Sequence, residues 1–237
     1  MNKPIGKQTA LITGGATGIG RAFAEGLLDA GIGHVVIASR RRDVLEKSAA
    51  EMNAEFSDCV TPYAFDIRER GQAEGLVRFA NKEFGVVDIL INNSGLAVPE
   101  TVTEITNDGW DKVMETNLRG AVWLTQLVLP KMLEQDFGDI VNVSSQAGKN
   151  GYADVPSYCA SKFGLLGFAE SVRDDMKKRG ANVRVFNFCP GLVEVDSPLD
   201  HTAKPGFIHV RNMAKTLSYA LSLDRNVNLE DIGIYAR

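Results

Sequence analysis

Short runs of apolar and β-branched residues alternate along the chain with longer stretches of helical spacing. The runs are TALIT (9–13), HVVIA (34–38), VTPYAF (60–65), DILI (88–91), DIVNV (139–143), NVRVFNF (182–188) and DIGIY (231–235). Several are apolar at successive rather than alternate positions, as strands covered on both faces require. Between them, Ala73, Leu76, Val77, Ala80 and Phe84 recur on one helical face, and stretches around 18–30, 43–54, 107–134, 156–179 and 210–222 behave likewise. Repetition of strand, helix, strand predicts right-handed crossovers, hence an α/β architecture: a doubly wound parallel sheet with helices on both faces.

Composition narrows this only slightly. The 237 residues are 44% hydrophobic and 24% charged, which suits one domain spanning 1–237. No repeat, low-complexity tract or linker divides the chain. The least regular stretch, VEVDSPLDHTAKPGFIH (193–209), is expected to cover a ligand beyond a strand's C-terminal end. A net charge of −4 argues against nucleic acid as a partner. No signal peptide or membrane span is expected, because the N-terminus runs straight into a strand and the longest apolar stretch is broken by Pro130 and Lys131. Cys59, Cys159 and Cys189 have no metal-ligand spacing and suit reduced thiols in a cytoplasmic protein. His34, His201 and His209 also lack ligand spacing and are expected as surface or loop residues, with His201 and His209 near enough to touch substrate.

Two motifs suggest chemistry. TGGATGIG (13–20) joins the first strand to the first helix. Glycines there permit a tight turn and close ligand approach, while the helix N-terminus offers unpaired N–H groups and a positive dipole end to a pyrophosphate. A glycine turn alone is a weak signal; its place in the strand order strengthens it. The second strand ends IASRRR, with no acid before Asp43. A carboxylate there would pair with a ribose hydroxyl and repel a 2′-phosphate, whereas Arg40 could hold that phosphate. NADP(H) is therefore expected over NAD(H), with Arg41 and Arg42 read as the solvated start of a helix. The second motif is YCASK (158–162). Tyr158 and Lys162 stand one turn apart on a stripe that continues through Leu165, Ala169, Val172 and Met176. The lysine either snorkels off an apolar stripe or, as an adjacent cation, favours phenolate and brings the tyrosine toward neutral proton transfer.

Together TGGATGIG, FDI (65–67), NNSG (92–95), TNLRG (116–120), IVNVSSQAG (140–148), YCASK and CPGLV (189–193) resemble, in order and over nearly the full length, the short-chain dehydrogenase/reductase family. The resemblance implies a Rossmann-type sheet of about seven strands, a homotetramer or homodimer, and hydride transfer between NADP(H) and a carbonyl or secondary alcohol. It implies that Tyr158 is the general acid or base and that Lys162 lowers its pKa and binds the nicotinamide ribose. Ser145 holds the substrate oxygen, and Asn117 fixes a water linked to Lys162. Ser144, the neighbour of Ser145, is read as a structural hydroxyl. The implied cofactor contacts are Gly14, Thr17, Gly18, Ile19, Gly20, Ser39, Arg40, Asp66, Ile67, Asn93 and the Val193 backbone, with Tyr158 and Lys162. On the residues alone, Asp66 also suits a helix cap and Asn92–Asn93 a turn. Val195 stands where many members have a carboxamide-gripping threonine, leaving Ser197 or a backbone group to substitute. No metal is called for.

Substrate identity is less defined. The ending LSLDRNVNLEDIGIYAR is similar to that of members oxidising 3-hydroxy acids such as serine or allo-threonine, and a 3-oxoacyl or general ketone reductase fits as well. A catalytically silent NADP-binding regulator would keep the fold without needing the tyrosine and lysine. A methyltransferase would leave both unused.

Overall fold

Strand β1 (Thr9–Thr13) is buried at every position, and its side chains divide between two cores. Ala10 and Ile12 face one hydrophobic cluster and Leu11 the other. The period-two alternation of a strand puts neighbouring residues on opposite faces, so a run apolar throughout needs cover on both. The same division recurs in β2 (His34–Ser39), where Val35 and Ile37 oppose Val36 and Ala38, and in β4 (Ile89–Asn92), where Ile89 and Ile91 oppose Leu90.

A computed structural model of the chain describes residues 3–195 and 204–237. The remaining strands are β3 (Val60–Ala64), β5 (Gly138–Val143), β6 (Val183–Pro190), β7 (Val193–Glu194), β8 (Ile208–His209) and β9 (Asp231–Ile234). Seven form one parallel sheet in the order β3-β2-β1-β4-β5-β6-β9, while β7 and β8 pair separately. Helices α1 (Gly18–Asp29), α2 (Arg42–Phe56) and α7 (Val210–Ser222) supply Phe23, Leu45, Met52, Met213 and Leu217 to one face. The other receives Leu76, Leu124, Val128, Ala169 and Met176 from α3 (Arg70–Phe84), α5 (Gly120–Glu134) and α6 (Pro156–Arg179). This is the doubly wound Rossmann-type sheet expected from the pattern. Its strand order reverses between β1 and β4, which opens a crevice at their C-terminal ends.

One expected helix is divided. The stretch 107–134 consists of α4 (Asn107–Met114), a wide π turn over Glu115–Arg119 and then α5. The extra residue in that turn re-aims Asn117, which is buried. The histidines also differ from expectation. His34 starts β2, stacks on Phe84 and contacts the Thr61 hydroxyl at 2.9 Å, and burial lowers its pKa. His209 is buried in β8 and its Nδ1 accepts from the Arg211 amide at the start of α7. Each supplies both an aromatic or apolar body and a polar tip, which suits an element end. His201 and Ser197 lie outside the described residues.

Polar side chains bind the sheet internally. The Asn92 amide donates to Asn142, Asn142 to Asn187 and Asn187 to Asp231, at 3.0, 3.1 and 2.8 Å, crossing four adjacent strands. At the opposite end of the strands, buried Asp139 receives Arg184 and Arg225, each at 2.7 Å, and Arg184 also donates to the Leu221 and Leu223 carbonyls that end α7. Removing the one anion leaves two guanidiniums competing in a low-dielectric site. Asp139→Ala is expected to lower the urea-unfolding free energy by about 3–5 kcal/mol; a loss below about 1 kcal/mol would show that the arginines find other partners.

Candidate active site

The groove at the crevice begins in the glycine turn. Gly14 and Gly18 have φ of +63° and +56°, conformations that side chains rarely adopt. A Cβ on Gly20 would lie 2.4 Å from the Gly14 carbonyl oxygen, so α1 can approach the end of β1 only without one. Thr17 begins α1 and is exposed, and its side chain makes no capping hydrogen bond. The first-turn N–H groups and the dipole's positive end are therefore left to a ligand. Asn93 ties the turn to β4 by donating to the Thr13 and Gly14 carbonyls at 2.8 and 3.2 Å.

Two connected hollows follow the switch point, sharing Asn93, Gly95 and Leu96. The narrower, about 280 Å³, carries Gly14, Thr17, Ser39, Arg40 and Ile67 on its walls. Arg41 lines it too, although sequence reasoning assigned that residue to the solvated helix start. Arg42 does behave that way, reaching Glu46 at 3.3 Å along α2. The signal for Arg41 was its place two residues past the end of β2, at the N-cap of α2, where the backbone is still extended. The wider hollow, about 710 Å³, carries Ile19, Ser145, Tyr158, Lys162 and Val193. Gln146, Tyr152 and Asp154 also line it and were not singled out from the sequence.

Gly18, Gly20, Asp66 and Asn117 lie off these walls. The two glycines act through the backbone beneath the groove. Asp66 is engaged by Arg68, whose Nη2 lies 2.6 Å from its carboxylate, and this guanidinium holds the carboxyl below its ordinary range. Asp66 also accepts the Arg68 amide at 3.0 Å, a turn contact and not the helix cap that the residues alone suggested, since Glu69 stands at the N-cap of α3. Asn117 exchanges two hydrogen bonds with the Leu96 backbone, at 2.8 and 2.9 Å, and donates to Ser161 at 3.0 Å. A methyl group built on Gly95 would meet Lys162 Nζ at 3.4 Å and Asn117 Oδ1 at 3.5 Å, so both flank that glycine.

Tyr158 and Lys162 share the expected stripe of α6. Lys162 is 3% exposed, and its ammonium donates to the Val143 carbonyl at 2.7 Å, its only hydrogen bond among the described residues. Burial pushes its pKa down to about 8. The ammonium lies 5.5 Å from the Tyr158 ring centre. The acidified phenol expected from this pair is not what the protein alone produces. Burial pushes the Tyr158 phenol up, while the Ser145 hydroxyl beside it pulls the other way. The ammonium is turned toward the Val143 carbonyl, and no acidifying effect of it offsets the burial of the phenol. Ser145 accepts the Ala147 amide at 3.1 Å and faces the wider hollow; Ser144 donates to the Lys162 carbonyl at 3.3 Å, fixing the strand to α6. Val195 is 42% exposed and lies over Gly18, whose built Cβ would be 3.3 Å away. Among the described residues, no three His, Cys, Asp or Glu side chains converge where a metal could sit, and no helix is long and apolar enough to cross a membrane.

A parallel sheet opening at its switch point onto a glycine turn, with a buried lysine one turn from a tyrosine, is an arrangement of the dehydrogenase type. The model of the short chain dehydrogenase family matches residues 8–205, and the chain belongs to that family of oxidoreductases. It is 28% identical over 232 residues to an uncharacterized oxidoreductase of Staphylococcus aureus, covering 96% of each chain. Among solved structures it is similar to serine dehydrogenase from Escherichia coli, with 28% identity, a TM-score of 0.84 and coverage of 96% and 97%. It is also similar to a single-substitution variant of actinorhodin polyketide ketoreductase with NADPH, with 26% identity, a TM-score of 0.86 and coverage of 96% and 95%.

The ionisation of Lys162 can be followed by stability. Between pH 8 and 10.5 the unfolded chain holds this proton more often than the folded one, so the group's contribution to stability rises with pH there. Below pH 8 its full burial cost, about 3 kcal/mol, is present. Without cofactor, the unfolding free energy of wild type minus that of Lys162→Met is expected to increase by about 2 kcal/mol from pH 7.5 to 10. A flat or falling difference would contradict a buried cation.

Proposed function

We propose that the protein is an NADP(H)-dependent carbonyl reductase and secondary-alcohol dehydrogenase, acting through Ser145, Tyr158, Lys162 and Asn117. The convergence of Ser145, Tyr158 and Lys162 in the wider hollow, continuous with the glycine turn, carries the reading. The chain's own groups fit a nicotinamide dinucleotide: an uncapped helix N-terminus for the pyrophosphate, Arg40 and Arg41 for a 2′-phosphate, and unspent donors on Lys162 for the nicotinamide ribose. When bound, NADP(H) supplies or accepts the hydride and, oxidised, brings a positive ring charge to this end of the groove.

Ser145 and Tyr158 present hydroxyls to the substrate oxygen, positioning the carbon and stabilising negative charge as it develops there. Tyr158 gives its proton to that oxygen in reduction and takes it back in oxidation. Burial keeps the phenol protonated at neutral pH, the form that reduction consumes. Lys162 orients the ribose and, by way of the Asn117 region behind Gly95, returns the proton toward solvent. Asp66 contributes to the adenine end by shaping the turn before Ile67, with its carboxylate left on Arg68. The same reading includes an assembly of two or four copies in the cytoplasm.

Mixing the protein with NADPH and a panel of ketones, aldehydes and 3-oxo esters is expected to bleach the reduced-nicotinamide band near about 340 nm. Tight NADPH binding without turnover of any member would favour a silent regulator. Tyr158→Phe is expected to retain NADPH affinity within about twofold and lose at least about 100-fold in kcat, the scale of a lost acid–base group; substantial residual turnover would exclude Tyr158 as the proton donor. In fluorescence titrations NADPH is expected to bind at least about tenfold more tightly than NADH, and Arg40→Ala with Arg41→Ala to remove most of that difference. Tighter NADH binding would reject the phosphate-clamp assignment.

A further inference from the structure

We infer that the reacting half of the groove takes neutral or cationic carbonyl compounds and alcohols and discriminates against those with a carboxylate beside the reacting carbon, with Asp154 as the specificity-determining residue. The inference rests on the oxidoreductase reading above and sharpens its substrate class.

Asp154 lines the wider hollow a few residues before Tyr158 and is exposed. Its carboxylate makes no hydrogen bond or ion pair among the described residues, while its backbone carbonyl is fixed by the Glu100 amide at 2.9 Å. The fixed backbone keeps an unneutralised negative charge at the rim. Among the described residues Lys162 is the only basic side chain on the same walls, and its ammonium is held by Val143. Lys149 and Lys204 are off these walls and are paired: Lys149 lies 3.6 Å from Asp231, and Lys204 lies 3.5 Å from Glu194. The remaining walls are apolar, from Ala97, Val155 and Leu192, or uncharged and polar, from Gln146 and Tyr152. The adjoining stretch 196–203, DSPLDHTA, contains two aspartates and neither lysine nor arginine, so it brings no permanent cation whatever its course.

An anionic substituent entering this space meets a fixed like charge and gains no guanidinium or free ammonium in return. Such juxtaposition is expected to weaken binding by at least about tenfold even at a partly wetted rim. A neutral amide, ester or hydroxyl loses nothing, and an ammonium gains a partner. An amino acid satisfies only half of the site: its ammonium suits Asp154, but its carboxylate has none. This separates the substrate preference expected here from the 3-hydroxy acids suggested by the ending of the sequence.

The test uses a matched pair, 3-hydroxybutyramide and 3-hydroxybutyrate, oxidised by the full-length protein with saturating NADP+. The amide is expected to have the higher kcat/KM by at least about tenfold, mostly through KM. Asp154→Asn is expected to shrink that ratio several-fold, and Asp154→Lys to shrink it further or invert it. The unreactive pair butyramide and butyrate, followed by thermal shift of the NADP+ complex, is expected to show the same order without turnover. Equal or better use of the acid by the wild type, or a ratio unmoved by Asp154→Lys, overturns the inference while leaving the oxidoreductase reading intact. Loss of turnover with both amide and acid in the wild type would instead count against that reading, and the butyramide–butyrate order would still decide the preference; binding of neither overturns it.

Discussion

The Lys162 ammonium is nearly out of water, and one hydrogen bond to the carbonyl of Val143, the last residue of β5, holds it there. An ammonium in that position loses most of its hydration and recovers only part of it, so the surrounding structure must fix it firmly. The fixing is visible on both sides of the bond. Ser144, next after Val143, donates back to the Lys162 carbonyl, and Ser161 donates to the Tyr158 carbonyl while receiving the Asn117 amide. A Cβ on Gly148 would fall 2.6 Å from the Ser144 hydroxyl and 3.0 Å from the Lys162 carbonyl, so the short turn after β5 stays against α6 only with glycine there. The cost of burying one charge is thus carried by a clamp between a strand end and a helix start. The same clamp aligns Ser145 with Tyr158.

Burial explains which features of this arrangement the sequence discloses. Positions that must be apolar leave a periodic trace, and for that reason the seven strands of the main sheet, the α3 stripe and the α6 stripe from Lys162 to Met176 were legible. The two-residue strands β7 and β8 instead fell inside the stretch read as irregular. The glycine turn was legible because its backbone excludes side chains. Pairings between distant polar residues leave no period. The Asn92–Asn142–Asn187–Asp231 chain therefore escaped notice, as did the two arginines on Asp139, whose partners are 45 and 86 residues away. The π turn at 115–119 was hidden because its residues, ETNLR, include no glycine or proline to mark an interruption of the helix. The pairing of Asp66 with Arg68, two residues on, also carries no periodic trace.

Charge is distributed unevenly along the groove, and that distribution supports one orientation of its contents. Exposed Arg40 and Arg41 stand at the narrow end, while Asp154 and an ammonium weakened by burial stand at the wide end. A ligand whose negative charge is concentrated at one extremity gains at the first end and loses at the second, so the field favours the phosphate-bearing end beside β2. On the proposed reading, the reacting end is then left to the Ser145 hydroxyl and the protonated Tyr158 phenol, groups that reward a developing oxyanion more than a charge already present in the ground state. On that reading, a site built this way stabilises a carbonyl oxygen on its way to alkoxide. By the same reading it gives no equivalent reward to a charge already present in the ground state.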